Sequence, residues 1–333
     1  MRKILLGLLL VSVVGTGVYL HRRKKQRVEI GFAANRGVTV WDTIAAVREP
    51  IGTLDYGARL EVLQRFEDNV KIRTANGMVG WINESNLLTS EFWDKTKQLD
   101  RQTEKMPVEA VGHTAVLSNL HIAPGRDAPR IRQLGKMVPV EMFQRQPMDV
   151  PGAAVQQVDQ TESASAGEGI RKEDWWLVRA HLPDKTTVSG WLLGRFVQLD
   201  LPEALYDYAS SADMHPIAWF QLDQVPSGNG NMEPQYLLVG TRGSEGQPCD
   251  FTLLRVYTWS KAKQQYETAY VESGVCGELP VRVKTLSADS AAFSFEDRST
   301  GTPAEAVYRL EETIVRRQKI ADARNESRKR IHG

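Results

Sequence analysis

The stretch GTLDYGARLEV at residues 52–62 decides the fold, because it combines a tight turn with the start of a strand. Leu60 and Val62 are separated by a charged residue, which is the alternation expected of a half-buried β-strand. Gly57 supplies the positive backbone φ that a tight turn before this strand requires. A second alternating run then leads into Asn76-Gly77, a strong two-residue hairpin signal. The region is therefore predicted to form a small antiparallel sheet.

The same pattern occurs twice, which indicates an internal repeat. Gly57 corresponds to Gly135 at an offset of 78 residues, whereas Trp81 corresponds to Trp191 at an offset of 110. Most of the extra residues of the second copy fall in 146–174, a polar stretch without apolar periodicity that predicts a flexible loop. The recurring segments are residues 52–62 with 131–140, 70–73 with 176–179, and 80–82 with 190–192.

These ordered segments resemble the bacterial SH3-like domains of the SH3b, or type 3, family. That family typically has a Val-Arg element, a Gly-Thr-Leu-x-x-Gly turn, a Val-x-Val strand, a Trp-x-x-Val-Arg strand and a closing Gly-Trp-Val. The first copy matches at Val47-Arg48, residues 52–62 and residues 80–82, but has Asn69-Val70 where an aromatic residue is common. The second copy keeps Trp175-Trp176 and Gly190-Trp191.

The resemblance implies two small SH3-like barrels, at residues 38–89 and 111–199, joined by a connecting helix at 90–110. Such small barrels need large core residues, and we expect the structural core to include Trp81 and Trp191, with Gly57 and Gly135 forming the turns.

Family members bind ligands through grooves lined with aromatic residues. Trp175 and Trp176 are adjacent on a predicted strand, so their side chains should point to opposite faces. One of the two is then expected to be exposed, which makes Trp175 and Trp176 the ligand-binding candidates. Packing in the core is the commoner role of any single tryptophan.

Residues 203–318 are predicted to form a separate all-β domain. Turn-rich segments separate its strands, and no long apolar helix pattern intervenes, which favours an antiparallel β-sandwich or open barrel. The last run, residues 304–317, fits either a strand or a helix, and its β-branched residues favour the strand. The candidate strands are 217–220, 236–239, 251–259, 266–271, 281–286, 292–295 and 307–315. The fold class is therefore mainly β.

Residues 1–28 are predicted to form a signal anchor, with one transmembrane helix and a basic collar. Ile4–Leu20 contains no charged residue and is flanked by arginine and lysine. As a helix it would span about 25 Å, slightly less than a hydrocarbon core, and the flanking cations could extend it. A cleaved signal peptide and a buried core helix are the alternatives, and the poor cleavage site disfavours the first.

The charge distribution bears on location and partners. The chain has a formal net charge of +1, but residues 1–30 carry +6 and residues 316–333 carry +5, which leaves −10 for the body. An acidic body disfavours a generally basic nucleic-acid binder, so no nucleic-acid partner is expected. Residues 319–333 are predicted to be a solvated basic tail. The cations after Leu20 favour a cytoplasmic body by the positive-inside rule, whereas the resemblance and the cysteines favour the periplasm, which is the location we expect.

A search for catalytic chemistry finds no established pattern. Cys249 and Cys276 could form a disulfide in an oxidising compartment, or remain thiols in a reducing one. Cys276 as a nucleophile would need a histidine partner, and His215 is the one histidine in the body of its domain. The six histidines show no zinc-binding spacing. No catalytic, metal-binding or cofactor-binding residue is assigned, and no cofactor is expected.

The sequence therefore predicts a non-enzymatic envelope binding or scaffold protein, attached to the bacterial inner membrane through residues 4–20. The tandem SH3-like domains would bind peptidoglycan peptides or an envelope protein. One alternative is an envelope hydrolase with an unrecognised active site in 203–318. Another is a membrane adaptor that faces the cytoplasm.

Overall fold

The computed structural model describes residues 28–150, 171–210, 214–287 and 290–318. It consists mainly of three seven-stranded antiparallel sheets, so the prediction of a mainly β protein is confirmed. The chain divides into two compact units, Met1–Lys95 and Thr96–Gly333. In the described ranges no helix is long and apolar enough to cross a membrane. The predicted anchor at 4–20, the tail at 319–333 and most of the predicted loop lie outside the described residues.

The first sheet belongs to the first unit and forms a small barrel. Its strands alternate between buried and exposed residues, with Val70 and Ile72 pointing inward as the sequence pattern predicts. The barrel includes one strand before residue 38, the predicted start of the domain. Residues 29–33 pair with the strands at 59–66 and 87–89. The strands are β1 (Glu29–Ala33), β2 (Val38–Trp41), β3 (Pro50–Leu54), β4 (Arg59–Phe66), β5 (Asn69–Thr74), β6 (Val79–Asn83) and β7 (Leu87–Thr89). Their order is β3-β2-β6-β5-β4-β1-β7.

The second sheet repeats this topology in the second unit. Its strands are β8 (Ala110–Thr114), β9 (Ser118–His121), β10 (Arg130–Leu134), β11 (Pro139–Asp149), β12 (Lys172–His181), β13 (Thr187–Leu193) and β14 (Val197–Leu199). Their order, β10-β9-β13-β12-β11-β8-β14, matches the first sheet strand for strand. The ends of the predicted loop at 146–174 are strand residues, because β11 and β12 stay paired as far as Asp149 and Lys172.

The structure corrects one correspondence of the repeat. The backbone N–H of Gly57 donates to the carbonyl of Ala33 at 2.9 Å, and in the second barrel Met137 donates to Thr114 at 2.8 Å. Gly57 and Met137 both have positive φ, 75° and 63°. Met137 is thus the equivalent of Gly57, and the expectation that Gly135 forms this turn was wrong. In the second barrel residue 135 lies two positions before Met137, the residue that has the positive φ of the turn.

The two Gly-Trp pairs have a common steric cause. A side chain on Gly80 would bring a Cβ within 2.7 Å of the carbonyl oxygen of Trp41, and one on Gly190 within 2.9 Å of that of His121. Both glycines therefore allow β6 and β13 to approach the neighbouring strands β2 and β9. The tryptophan that follows each glycine points away from the barrel interior, because neighbouring residues of a strand alternate.

Helix α1 (Ser90–Thr103) follows the first barrel and ends earlier than the predicted 90–110 segment. The hydroxyl of Thr89 caps the N-terminus of the helix, because it accepts a hydrogen bond from the N–H of Phe92 at 3.2 Å. Within the first unit, Trp93 stacks on Phe32 with ring centroids 4.8 Å apart. The C-terminal half of α1 packs in the second unit through Leu99.

The third sheet is a simple meander in which each strand pairs with the next. Its strands are β15 (His215–Pro226), β16 (Met232–Thr241), β17 (Phe251–Ser260), β18 (Gln265–Ser287), β19 (Ser290–Asp297), β20 (Ala304–Glu311) and β21 (Ile314–Arg317), preceded by the short helix α2 (Tyr206–Ser210). Two predicted strands merge in β18, and residues 304–317 divide at Glu312, whose φ is 52°. The sheet curls so that its second strand approaches its last hairpin. Gln235 on β16 donates to the carbonyl of Glu312, in the turn of that hairpin, at 2.7 Å.

Candidate functional site

A cavity of about 490 Å³ lies between the second barrel and the third sheet, both of which belong to the second unit. Its apolar surface comes mainly from the barrel, through Met142, Trp176, Val197 and Leu199, with Ile217 from the sheet. Its polar edge comes from Asp174, Arg195, His215, Ser244 and Glu245. An apolar surface with a few convergent charged groups is the usual composition of a small-ligand site.

The cavity exists because strand alternation and one loop place these residues together. Asp174 and Trp176 are two residues apart on β12, so both side chains leave the same face of the strand. Ser244 and Glu245 lie in the loop between β16 and β17. That loop also contacts the barrel, since the N–H of Gly246 donates to the Asp174 carboxylate at 3.0 Å.

Arg145 on β11 holds the same loop and is almost fully buried, with a side chain only 1% exposed. Its guanidinium lies 2.7 Å from the Asp174 carboxylate and 3.3 Å from that of Asp250. It also donates to the carbonyls of Gln247 at 2.9 Å and Cys249 at 3.1 Å. One cation thus satisfies two carboxylates and two carbonyls, which fixes one wall of the cavity.

A second ion-pair cluster orients the charged edge. The carboxylate of Glu173 is buried and accepts from both Arg126 and Arg195. Arg195 also lies 3.5 Å from Glu245, a pairing of barrel and loop across the cavity rim. The rim therefore presents a cation between carboxylates, an arrangement suited to a ligand that carries both signs of charge.

Cys249 and Cys276 form a disulfide with Cα atoms 5.0 Å apart, which ties the end of the loop to β18. The main-chain N–H of Cys276 also donates to Asp297 at 3.1 Å. These are the two cysteines of the chain, so neither provides a thiolate in this state. The hydrolase alternative would therefore need a nucleophile other than Cys276. His215 lies at the cavity edge.

Two carboxyl groups lie at the joint where the second barrel meets the third sheet, the buried Glu109 and the largely buried Asp250. Burial raises the pKa of Glu109 to about 7, and Asp250 adds to the rise, while the N–H of Val281 and the charge of Arg282 oppose it. Burial likewise raises the pKa of Asp250, against the bond from Leu279 and the charge of Arg145. Glu109 is therefore largely protonated below neutral pH, and its ionisation adds a negative charge between the second barrel and the third sheet.

Trp175 and Trp176 point to opposite faces of β12, but both are only 3% exposed. Trp175 packs with Leu177 and Trp191 in an apolar cluster covered by Leu99 and Met106. Trp176 faces the cavity instead. The expectation that one of them is exposed was wrong. The C-terminal half of α1 covers the Trp175 face of the strand, and Trp176, the register equivalent of Val70, points into the barrel interior beside the cavity.

Trp81 and Trp191 both point out of their barrels, and only Trp191 is buried as expected of a core residue. Trp191 is buried, but Trp81 is half-buried and lies outside the core cluster of the first barrel. Strand alternation explains this, since the flanking Gly80 and Ile82 point inward and Trp81 points outward. Trp81 instead pairs directly with Trp41 on β2, a residue that the motif comparison did not single out.

We define the outer face of each barrel by the residues that point away from its interior on these central strands. In the first barrel they are Trp41, Asn69, Lys71, Val79, Trp81 and Asn83, none of which is buried. In the second barrel the register-equivalent residues are His121, Trp175, Leu177, Ser189, Trp191 and Leu193, all of which are buried. One further outward-pointing pair, Arg73 and Arg179, lies at the border of the face and is not buried in either barrel.

Sequence reasoning missed most of the site residues. Trp41 had a detectable signal in the sequence, because the repeat offset that aligns the two turn residues also aligns Trp41 with His121. Arg145, Arg195 and Glu245 had none, since they meet only when the barrel docks on the third sheet. Across the ranges that the structure describes, no group of three or more His, Cys, Asp or Glu residues could hold a metal ion.

Comparison with known proteins adds little. No protein-family model matches the chain, and no curated protein matches it. A solved structure described as NlpC2 from Trichomonas vaginalis shares 11% sequence identity with it at a TM-score of 0.18. The match covers 57% of this chain and 53% of that one, so the chain spans about half the length of the structure it matches. A likeness this weak carries no conclusion about fold or function.

Proposed function

We propose that this chain is a non-enzymatic binding protein of the bacterial envelope, anchored in the inner membrane through residues 4–20 with its body in the periplasm. Its two barrels would be SH3-like domains of the SH3b type. The shared strand order and the matching turn bonds of Gly57 and Met137 support a duplicated small barrel. The disulfide agrees with an oxidising compartment.

The cavity beside Trp176 is the observation that carries the binding role. Its apolar surface suits a short aliphatic chain, and Arg195 with the carboxylates of Asp174 and Glu245 suits a ligand that carries both carboxylate and ammonium groups. Peptidoglycan stem peptides have this chemistry. We therefore propose that the cavity binds a stem peptide and that the protein acts as a wall-binding scaffold.

Binding to purified peptidoglycan sacculi tests this proposal with the full chain. Ser244→Tyr should obstruct the cavity and strongly weaken retention, because Ser244 lines it from an exposed loop. Ser273→Tyr makes the same substitution at an exposed position of the same sheet, away from the cavity lining, and should leave retention unchanged. Retention no greater than that of an unrelated protein of matched charge would overturn the proposal, as would equal retention of both variants.

The proposed location has its own test. Fusion of alkaline phosphatase to residue 333 should give an active enzyme, and fusion of a fluorescent protein that matures only in the cytoplasm should stay dark. The reverse result would place the body in the cytoplasm, as the charges after Leu20 favour. It would exclude binding to the wall and leave the adaptor alternative.

A further inference from the structure

The outer face of the first barrel combines aromatic rings with cations. Trp41 and Trp81 are direct partners on β2 and β6, and Lys71 is the partner of Trp81 on β5. Paired strands lie about 4.8 Å apart, so the three side chains form a row about 10 Å wide. Val79 lies two residues from Trp81 on the same strand and extends the apolar surface along it.

Two cations lie against the indole rings. The guanidinium carbon of Arg48 is 4.3 Å from the ring centroid of Trp41, and the ammonium of Lys71 is 5.7 Å from that of Trp81. In the part of the chain that the structure describes, neither cation forms an ion pair with a carboxylate. Arg65 and Arg73 of the same barrel do form such pairs. Arg48 and Lys71 therefore keep their charge available for a partner.

The loop that carries Arg48 is open to solvent. Its neighbour Val47 is 90% exposed, so an apolar side chain lies beside the cation at the edge of the face. The carboxylate of Asp42 in this loop already accepts the N–H of Glu49 at 2.9 Å, which stabilises the loop. The accessible surface is thus apolar in its centre, with the cations of Arg48 and Lys71 beside the rings and the exposed carboxylates of Asp42 and Glu49 farther along the loop.

The second barrel indicates which ligand this face does not suit. There the equivalent residues are largely apolar, and Leu99 and Met106 cover them. In the first barrel Asn69, Lys71 and Asn83 replace Trp175, Leu177 and Leu193, so an apolar helix face would leave a buried cation and amides without partners. The face instead suits a ligand that offers carboxylates together with small apolar groups.

We propose that the outer face of the first barrel binds an extended acidic segment of a partner protein, with alternate apolar side chains on Trp41, Trp81 and Val79 and carboxylates beside Arg48 and Lys71. The spacing fits along β6, because alternate residues of an extended peptide lie about 6.8 Å apart, as Val79 and Trp81 do, while Trp41 lies about 4.8 Å to the side on the paired strand. This inference goes beyond the proposed binding of stem peptides, since it concerns another unit and another ligand.

The test uses the full chain and an acetylated, amidated peptide of alternating Glu and Leu, with calorimetry at low salt. We expect saturable binding, and we expect the double variant Arg48→Glu/Lys71→Glu to weaken it more than about tenfold, because like charges then face each other. Arg59→Glu is the matched control, an exposed cation of the same barrel outside the outer face, and should change binding little.

Other peptides and variants test the charged contacts and the apolar contacts separately. Peptides of alternating Lys and Leu, or of Glu and Gly, should bind far more weakly, because each lacks one of the two contacts. Arg48→Glu alone lies in an exposed loop and keeps the test valid if the double variant unfolds. Ser244→Tyr should not change the affinity for the peptide, so failure of cavity binding is distinguishable from failure here.

Two results would overturn the inference. The first is equal weakening by Arg59→Glu and by the double variant, which would mean attraction by net charge alone. The second is binding of polygalacturonate at Trp41 and Trp81 without binding of the Glu-Leu peptide, which would assign the face to an anionic saccharide.

Discussion

The outer face is buried in the second barrel, whereas in the first barrel it keeps access to solvent. Strand order, the bulge between the fourth and fifth strands and the Gly-Trp pair are the same in both. The difference comes from the neighbours of the shared tryptophan, which are Leu177 and Ser189 around Trp191 but Lys71 and Val79 around Trp81. The common fold therefore determines where the face is, and the side chains on it determine whether the protein or a ligand covers it.

The largest expected effect separates the two equivalent tryptophans. Trp191→Ala should lower the free energy of unfolding by about 3–5 kcal/mol, because it opens a cavity in a buried cluster. Trp81→Ala should cost less, about 1–2 kcal/mol, because a half-buried ring loses only part of that burial. Urea unfolding of each variant measures both values. Equal losses would contradict the distinction between the two faces.

A similar contrast holds for ion pairs. Arg145→Met should cost about 3–5 kcal/mol, because it removes a buried cation and leaves the largely buried carboxylates of Asp174 and Asp250 without it. Arg73→Met in the first barrel should cost less than about 1 kcal/mol, because its pair with Glu61 is exposed. Urea unfolding again gives both figures. A small loss for Arg145→Met would mean that the joint with the third sheet does not depend on this cation.

The buried Glu109 predicts a pH effect that the first barrel does not share. Its pKa is raised from the ordinary 4.5 to about 7, so the folded protein binds the extra proton between these values. The free energy of unfolding should therefore fall as pH rises through this window, by up to about 3 kcal/mol, and stay low above it.

Glu109→Gln should remove that fall, because its amide oxygen can still accept the N–H of Val281 and carries no charge. The variant should be more stable than the wild type at pH 8 and similar to it near pH 4. Unfolding midpoints across this range check the sign. A variant less stable at pH 8 would show that ionised Glu109 stabilises the joint.

The smallest expected effect concerns the cation on the outer face of the first barrel. Arg48→Ala should change the free energy of unfolding by less than about 1 kcal/mol, because an exposed cation–π contact contributes no more than that. Chemical unfolding followed by circular dichroism measures it. A larger loss would assign Arg48 a structural role and weaken its assignment to ligand binding.

The sequence predicted the parts of the fold that depend on local pattern. The alternation of Val70 and Ile72 and the hairpin at Asn76-Gly77, where Gly77 has a φ of 88°, are present as expected. The repeat was found, but Gly135 was misassigned because a glycine was matched by type while the turn in the second barrel uses Met137. A positive φ in a residue other than glycine has no clear sequence signal.

The candidate sites were less predictable, because they depend on what packs against each strand. Trp175 and Trp176 follow the expected alternation, yet both are buried, Trp175 under Leu99 of α1 and Trp176 on the inner face of its barrel. The cavity needs the loop at 242–250, which Arg145 and the disulfide hold in place. No local pattern links Arg145 to Asp250, since the two are more than a hundred residues apart and meet only through packing.

Hydroxyl-radical footprinting with mass spectrometry tests the central difference between the two outer faces most directly. Trp41 and Trp81 should be oxidised several-fold faster than Trp175 and Trp191 in the protein alone, and the alternating Glu-Leu peptide should protect only the first pair. Equal oxidation of Trp81 and Trp191, or a peptide that protects neither Trp41 nor Trp81, would contradict an outer face that is available for a ligand in one barrel and covered in the other.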